Sequence, residues 1–186
     1  MTLKEMKETV LGLIEELDED NELLTDDPDI SVKINSVINQ IMFELSRIKK
    51  LPGYVEVSVT AGEVIDFARI EKAGKYEVYQ VSVIKGIVYD QKAQGTIFKV
   101  REAGTAEIEY FKYPERITKK TKDSYEFELS PDVLEIMPYG VAADLLKNDI
   151  SANYGKVYSE RYETMIQRLD PRYSMPSICI EGGIDI

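Results

Sequence analysis

The chain has 186 residues, with 23 Lys and Arg against 34 Asp and Glu and no histidine, for a net charge of −11 near neutral pH. A surface this negative repels phosphate, which argues against a sequence reader of DNA or RNA and against docking on an anionic membrane. The missing histidine removes the Ser-His-Asp triad, the Cys-His pair and every His-ligated metal site in one step.

Cys179 is the sole cysteine, so an intrachain disulfide and a two-thiolate metal site are both excluded, and a reducing compartment fits. The opening MTLKEMKETVLGL mixes charges into its first turns, and no apolar run approaches the ~20 residues that span a bilayer. Neither a signal peptide nor a membrane anchor is expected.

Leu3, Met6, Val10, Leu13, Ile14 and Leu17 fall at helical spacing behind a Thr2/Glu5 capping box, predicting a helix from Leu3 to Asp18. An acidic stretch from Glu19 to Pro28 follows. Asp27-Pro28 then supplies an N-cap and a first-turn proline for a second helix, whose Ile30, Ile34, Val37, Ile38, Ile41, Leu45 and Ile48 repeat at steps of three and four. Leu51-Pro52-Gly53 stops it.

At Tyr54 the period changes to two. Val55, Val57 and Val59 alternate with Tyr54, Glu56 and Ser58, as in a half-buried strand. Further strand-like runs cover Glu63 to Phe67, Tyr76 to Ile84, Gly86 to Asp90, Thr96 to Val100 and Thr105 to Tyr113, punctuated by glycines. Short strands with regular turn signals suggest a small antiparallel sandwich or barrel.

Helical character returns at Ser130-Pro131-Asp132, which reads as a cap, a first-turn proline and a first-turn acid. Pro138 should end or kink that helix, and Gly140, Ala142 and Ala143 after it allow close helix approach. A last helix is expected from near Ser151, with Tyr154, Val157, Tyr158, Tyr162, Met165, Ile166 and Leu169 as its apolar stripe, closed by Asp170-Pro171. The expected class is α+β: a helical bundle from residues 1–52 and 130–170, an inserted antiparallel β sandwich or barrel over 53–129, and an extended tail over 171–186.

No chemistry-bearing pattern is complete. Reading Asp18, Asp20 and Glu22 as the start of a calcium loop puts Leu23 where glycine is needed and Asp29 where glutamate is needed. Glu126 and Glu128 stand two apart in an extended segment with nothing else to make them a catalytic pair. Neither GxxxxGK[ST] nor GxGxxG occurs. The expectation is a protein that is not an enzyme, with no cofactor and no metal.

Twelve tyrosines and no tryptophan favour contact surfaces, since tyrosine joins area to a hydrogen bond, although a core-edge position with the hydroxyl reaching water suits the same residues. Interface candidates are Tyr110, Tyr113, Tyr154, Tyr158 and Tyr162. The tail adds Ile178, Cys179, Ile180, Ile184 and Ile186, too apolar for a purely solvating end and suited to adding an edge strand to a neighbouring subunit.

The closing block ELSPDVLEIMPYGVAADLLKNDISANYGKVYSERYETMIQRLD, with the leading helix pair ending NSVINQIMFELSRIKKLP, resembles the head-to-tail connector, or adaptor, proteins of tailed bacteriophages, including the tail tubular group of short-tailed phages. The shared pattern is a short helix, a proline, a G-[VL]-A-A helix and a final [FY]-x-x-x-[FY]-E helix. Here it reads Pro138, Gly140 to Ala143, and Tyr158 to Glu163, and the similarity covers about 100 residues. The resemblance implies a virion structural protein of the neck or tail, assembled in the bacterial cytoplasm. Its subunits would form a ring, commonly twelve-fold, that docks beneath the portal protein, meets a downstream neck or tail protein, and lines a channel through which DNA passes without sequence-specific binding. A tail-completion or baseplate adaptor is the nearest alternative, and a carboxylate-dependent hydrolase or metal-binding protein a more distant one.

Overall fold

The computed structural model describes residues 1–14, 28–148 and 154–169, which form an α+β protein of five helices and two three-stranded antiparallel sheets. Helix α1 (Leu3–Leu13) opens with the expected box: the Thr2 hydroxyl accepts from the Glu5 N–H at 3.2 Å, and the Glu5 carboxylate accepts from the Thr2 N–H at 2.9 Å. Such a cap is worth about 1 kcal/mol. The helix closes at Ile14, short of the Asp18 that periodicity alone predicts; residues 15–27 lie outside the described residues.

Helix α2 (Pro28–Ile48) runs for 21 residues and buries Ile34, Ile38, Ile41, Met42 and Leu45 along one stripe. Helix α4 (Pro131–Leu145) is apolar on nearly every side, with Val133, Leu134, Ile136, Met137, Pro138, Gly140, Val141 and Ala142 all buried. It is therefore the centre of the helical half, packed against α1, α2 and α5 (Tyr154–Leu169). This explains two departures from the sequence reading. Pro138 does not end the helix, because neighbours on three sides support the chain through it despite one lost backbone hydrogen bond. Ser130 occupies the N-cap position, but its side chain makes no capping bond; its carbonyl accepts from the Val133 and Leu134 N–H groups at 3.0 and 3.1 Å.

The first sheet has the order β1-β6-β3, formed by Leu51–Val59, Gly104–Lys112 and Val78–Lys85. The second has the order β2-β5-β4, formed by Val64–Asp66, Ile97–Val100 and Tyr89–Lys92. Neither sheet closes into a barrel, and side chains of both meet in one apolar cluster that includes Val59, Ile65, Phe98, Val100, Ile108 and Tyr110. Between β2 and β3 lies a helix that the sequence reading missed, α3 (Phe67–Gly74). It is capped by the Asp66 carboxylate, which accepts from the Arg69 N–H at 2.9 Å, and it contributes Ile70 to the same cluster.

A second, larger cluster unites the helices. Ile117, Phe127 and Leu129 belong to it, so part of the segment after Tyr113 packs on the helical half. Asn39 fixes that segment from α2: its amide donates to the Ile117 carbonyl and its oxygen accepts from the Ile117 N–H, both at 2.8 Å. The N-terminus pairs with the same stretch through the Leu3 N–H to the Tyr125 carbonyl at 2.8 Å and the Lys4 N–H to the Asp123 carbonyl at 3.0 Å. No helix among the described residues is long and apolar enough to cross a membrane.

Candidate functional site

Among the described residues, no three acidic, cysteine or histidine side chains converge as a metal site requires. Glu128 is committed to an ion pair with Lys112 at 2.6 Å, which separates it in role from the exposed Glu126. A groove of about 600 Å³ between α2, α4 and α5 mixes Glu44, Asp144, Lys147, Lys156 and Glu163 at its walls. Its charges of both signs come from α2, α4, α5 and the short 3-10 turn that follows α4. The features able to carry function are therefore surfaces, and three can be built from the residues upward.

The first is the seam that joins the two halves. The α2 residues Phe43, Ser46 and Arg47, with Lys50 in the turn that follows, face Tyr79, Phe111, Tyr113 and Arg116 across it. The Phe43 and Tyr79 rings lie 5.1 and 4.9 Å from that of Tyr113, and the Tyr79 hydroxyl donates to the Ser46 carbonyl at 3.1 Å. Four aromatic rings meet three cations here: Arg47 over Tyr113, Lys50 over Phe111 at 4.6 Å, and Arg116 over Phe43 at 4.5 Å. The Arg47 guanidinium also donates to the Tyr113 hydroxyl, at 2.7 Å from Nε. Burial pushes the Tyr79 phenol above its usual value, with Tyr113 adding to the effect.

The second is the outward face of the first sheet. Antiparallel register places cross-strand partners on one face, so Tyr54, Glu109 and Val83 form one row and Glu56, Glu107 and Lys85 the next. Lys85 reaches diagonally to Glu109 at 2.7 Å, and the Tyr54 hydroxyl donates to Glu56 at 2.8 Å. That hydrogen bond, helped by the carboxylates of Glu56, Glu107 and Glu109, holds the Tyr54 phenol at about 12. Tyr54 and Val83 remain 54% and 38% exposed on this acidic face.

The third is the outer flank of α5, where Tyr154 and Val157 are 56% and 54% exposed beside Arg161 and Arg168. Tyr162 is the one buried residue of this helix, with Met165, Ile166 and Leu169 partly buried against the helical cluster beside it, while Tyr154, Val157, Arg161 and Arg168 lie exposed.

The sequence-derived interface candidates divide sharply in this structure. Tyr110 is 2% exposed and its ring fills the space left by Gly53 and Gly74, so it is a core residue of the β half and unavailable at the surface. Tyr162 is 8% exposed and lies on Gly140, where a Cβ would meet its ring at 2.6 Å. Burial, with the Glu44 carboxylate nearby, pushes its phenol well above the usual value. Both are corrected from interface to core, because each is the large partner of a glycine contact that excludes water.

Tyr113 is half-buried in the seam, and Tyr158 is half-buried with its hydroxyl donating to the Leu13 carbonyl at 2.6 Å. Tyr154 alone of the five is openly exposed. Ile178, Cys179, Ile180, Ile184 and Ile186 lie outside the described residues. Tyr54, Val83 and Arg161 were absent from the candidates. For Tyr54 the signal was present, since it sits in the polar phase of a period-two strand where an aromatic residue must face outward.

Compared with known proteins, the chain matches no family model, and no curated protein matches its sequence.

Proposed function

We propose that this protein is a virion structural subunit, the head-to-tail connector of a tailed bacteriophage, assembling as a ring beneath the portal and lining the DNA channel. The observation that carries the reading is the place of the resemblance pattern in the fold. Pro138, Gly140 and Ala142 are buried in the central helix α4, and Tyr162 of the final helix rests on Gly140. The shared pattern is thus the packing code of the helical half, so a chain bearing it is expected to share that half with the connectors it resembles.

Composition supports the same reading. A channel that passes DNA must repel it, and −11 per subunit, multiplied around a ring, supplies that repulsion. The two-part architecture gives each subunit distinct faces, as a cyclic assembly requires. The partners on this reading are further copies of the chain, the portal above and a neck or tail protein below.

Electron microscopy of the native particle, or of the protein co-expressed with the portal, tests the proposal by symmetry and position. A ring directly beneath the portal is the expected result. Placement at the distal end of the tail would retain a structural role and reject the connector, and a chain absent from particles would reject both.

A further inference from the structure

Resting on the ring reading, we propose that subunits join head to tail, the outer flank of α5 on one copy lying across the outward face of the first sheet on the next. Arg161 and Arg168 would meet Glu56, Glu107 and Glu109, while Tyr154 and Val157 cover Tyr54 and Val83.

Charge complementarity is the first argument. In a chain of net charge −11, α5 carries three cations and two carboxylates. Lys156 pairs with Glu160 at 3.8 Å within the helix, whereas Arg161 lies over the Tyr139 ring at 4.2 Å, and neither Arg161 nor Arg168 has a carboxylate partner among the described residues. The sheet face has the opposite surplus. Glu56 stands directly opposite Glu107 in the β1-β6 register, and the face's one lysine, Lys85, is drawn to Glu109. Like charges placed opposite each other cost stability in a sheet, and within the described subunit only Lys85, the register partner of Glu107, and the Tyr54 hydroxyl on Glu56 oppose it, neither of which neutralises the pair. Guanidinium groups from a neighbour would.

Shape and position agree. The 16 residues of α5 span about 24 Å at helical rise. The nine-residue strands β1 and β6 span about 30 Å, so the helix fits along the sheet. Each surface sets two exposed apolar side chains beside charge: Tyr154 and Val157 in the first turn of α5 with Arg161 and Arg168 further along it, and Tyr54 and Val83 on β1 and β3 to either side of Glu109. The two surfaces belong to different halves of the subunit and are not self-complementary, so pairing them gives a heterologous contact that propagates into a ring. Without such a local attraction, copies carrying −11 each would repel one another.

The test is sedimentation velocity of the full chain over a wide concentration range, with two charge-reversed variants, R161E/R168E and E56K/E107K. All four positions are at the surface, so circular dichroism should match the wild type. Each variant alone is expected to lose about 100-fold or more in association constant. Mixed in equal amounts, the two should associate in alternation, because the intact sheet of one meets the intact α5 of the other and the reversed α5 meets the reversed sheet; for the same reason a chain carrying all four changes should associate again.

If the wild type associates and both variants do so equally well, the contact lies elsewhere and the proposal is overturned. A wild type that stays monomeric throughout also overturns it. The ring reading itself stands or falls separately, on the particle images.

Discussion

The helical and β halves solve the same packing problem in different ways. In each, a tyrosine ring is seated against glycine: Tyr162 on Gly140 in the helices, and Tyr110 against Gly53 and Gly74 in the sheets. The helical pair joins one face of α5 to a central helix already enclosed by α1 and α2. Tyr110 has no such backing. It lies in the middle strand β6, with Gly53 its register partner on β1 and Gly74 at the end of α3, so a single ring ties three elements together. The small β half therefore depends more heavily on one side chain than the helical half does.

Removing the rings should expose this difference most strongly. Tyr110→Ala and Tyr162→Ala each delete a buried aromatic side chain and are expected to cost about 4 kcal/mol. Hydrogen exchange should separate them: Tyr110→Ala opens amides throughout β1, β3, β6 and α3, while Tyr162→Ala releases α5 and leaves α1 and α2 protected. Equal loss of protection in both halves for either variant would show that the seam welds them into one cooperative unit.

The glycines give the next effect. Gly140→Ala drives a Cβ into the Tyr162 ring and should cost about 2 kcal/mol by urea denaturation. In a Tyr162→Ala background the clash is gone, and the same substitution should stabilise by about 1 kcal/mol because alanine is the better helix former. Gly53→Ala has no such helical gain to recover, so its cost should shrink in a Tyr110→Ala background without reversing sign.

These tyrosines also show where the sequence was legible. The period-two pattern of YVEVSVT and the three-and-four spacing of α2 place their buried faces correctly, because each signal is local to one element. The role of a tyrosine is not local. Tyr162 reads as an amphipathic residue on a helix stripe, and whether it faces a neighbouring subunit or Gly140 is decided by a residue 22 positions away on another helix. Helix α3 was lost for a different reason. Eight residues between strands are too short for a periodic signal, although Asp66 as a cap and Phe67, Ile70 and Ala73 at steps of three marked it. The acidic sheet face was hidden because Glu56, Glu107, Glu109 and Lys85 come from three separate strands that only the register unites.

The remaining effects concern how the halves are joined, and they are smaller because the groups involved are partly solvated. Asn39→Ala removes both hydrogen bonds to the Ile117 backbone and should cost about 1.5 kcal/mol, freeing the segment after Tyr113 to exchange. Tyr113→Phe keeps the ring between Phe43 and Tyr79 but removes the hydroxyl that accepts from Arg47. An exposed hydrogen bond to a charged group leaves water able to replace the lost partner, so the expected cost is only about 0.5 kcal/mol. The informative quantity is its coupling to Arg47→Met. If the guanidinium is held mainly by the hydroxyl, the double variant should cost no more than Arg47→Met alone; if the ring face holds it, the two costs should add. The first result would make the seam a specific polar latch between α2 and the β half, and the second would make it an aromatic surface on which the cations merely rest.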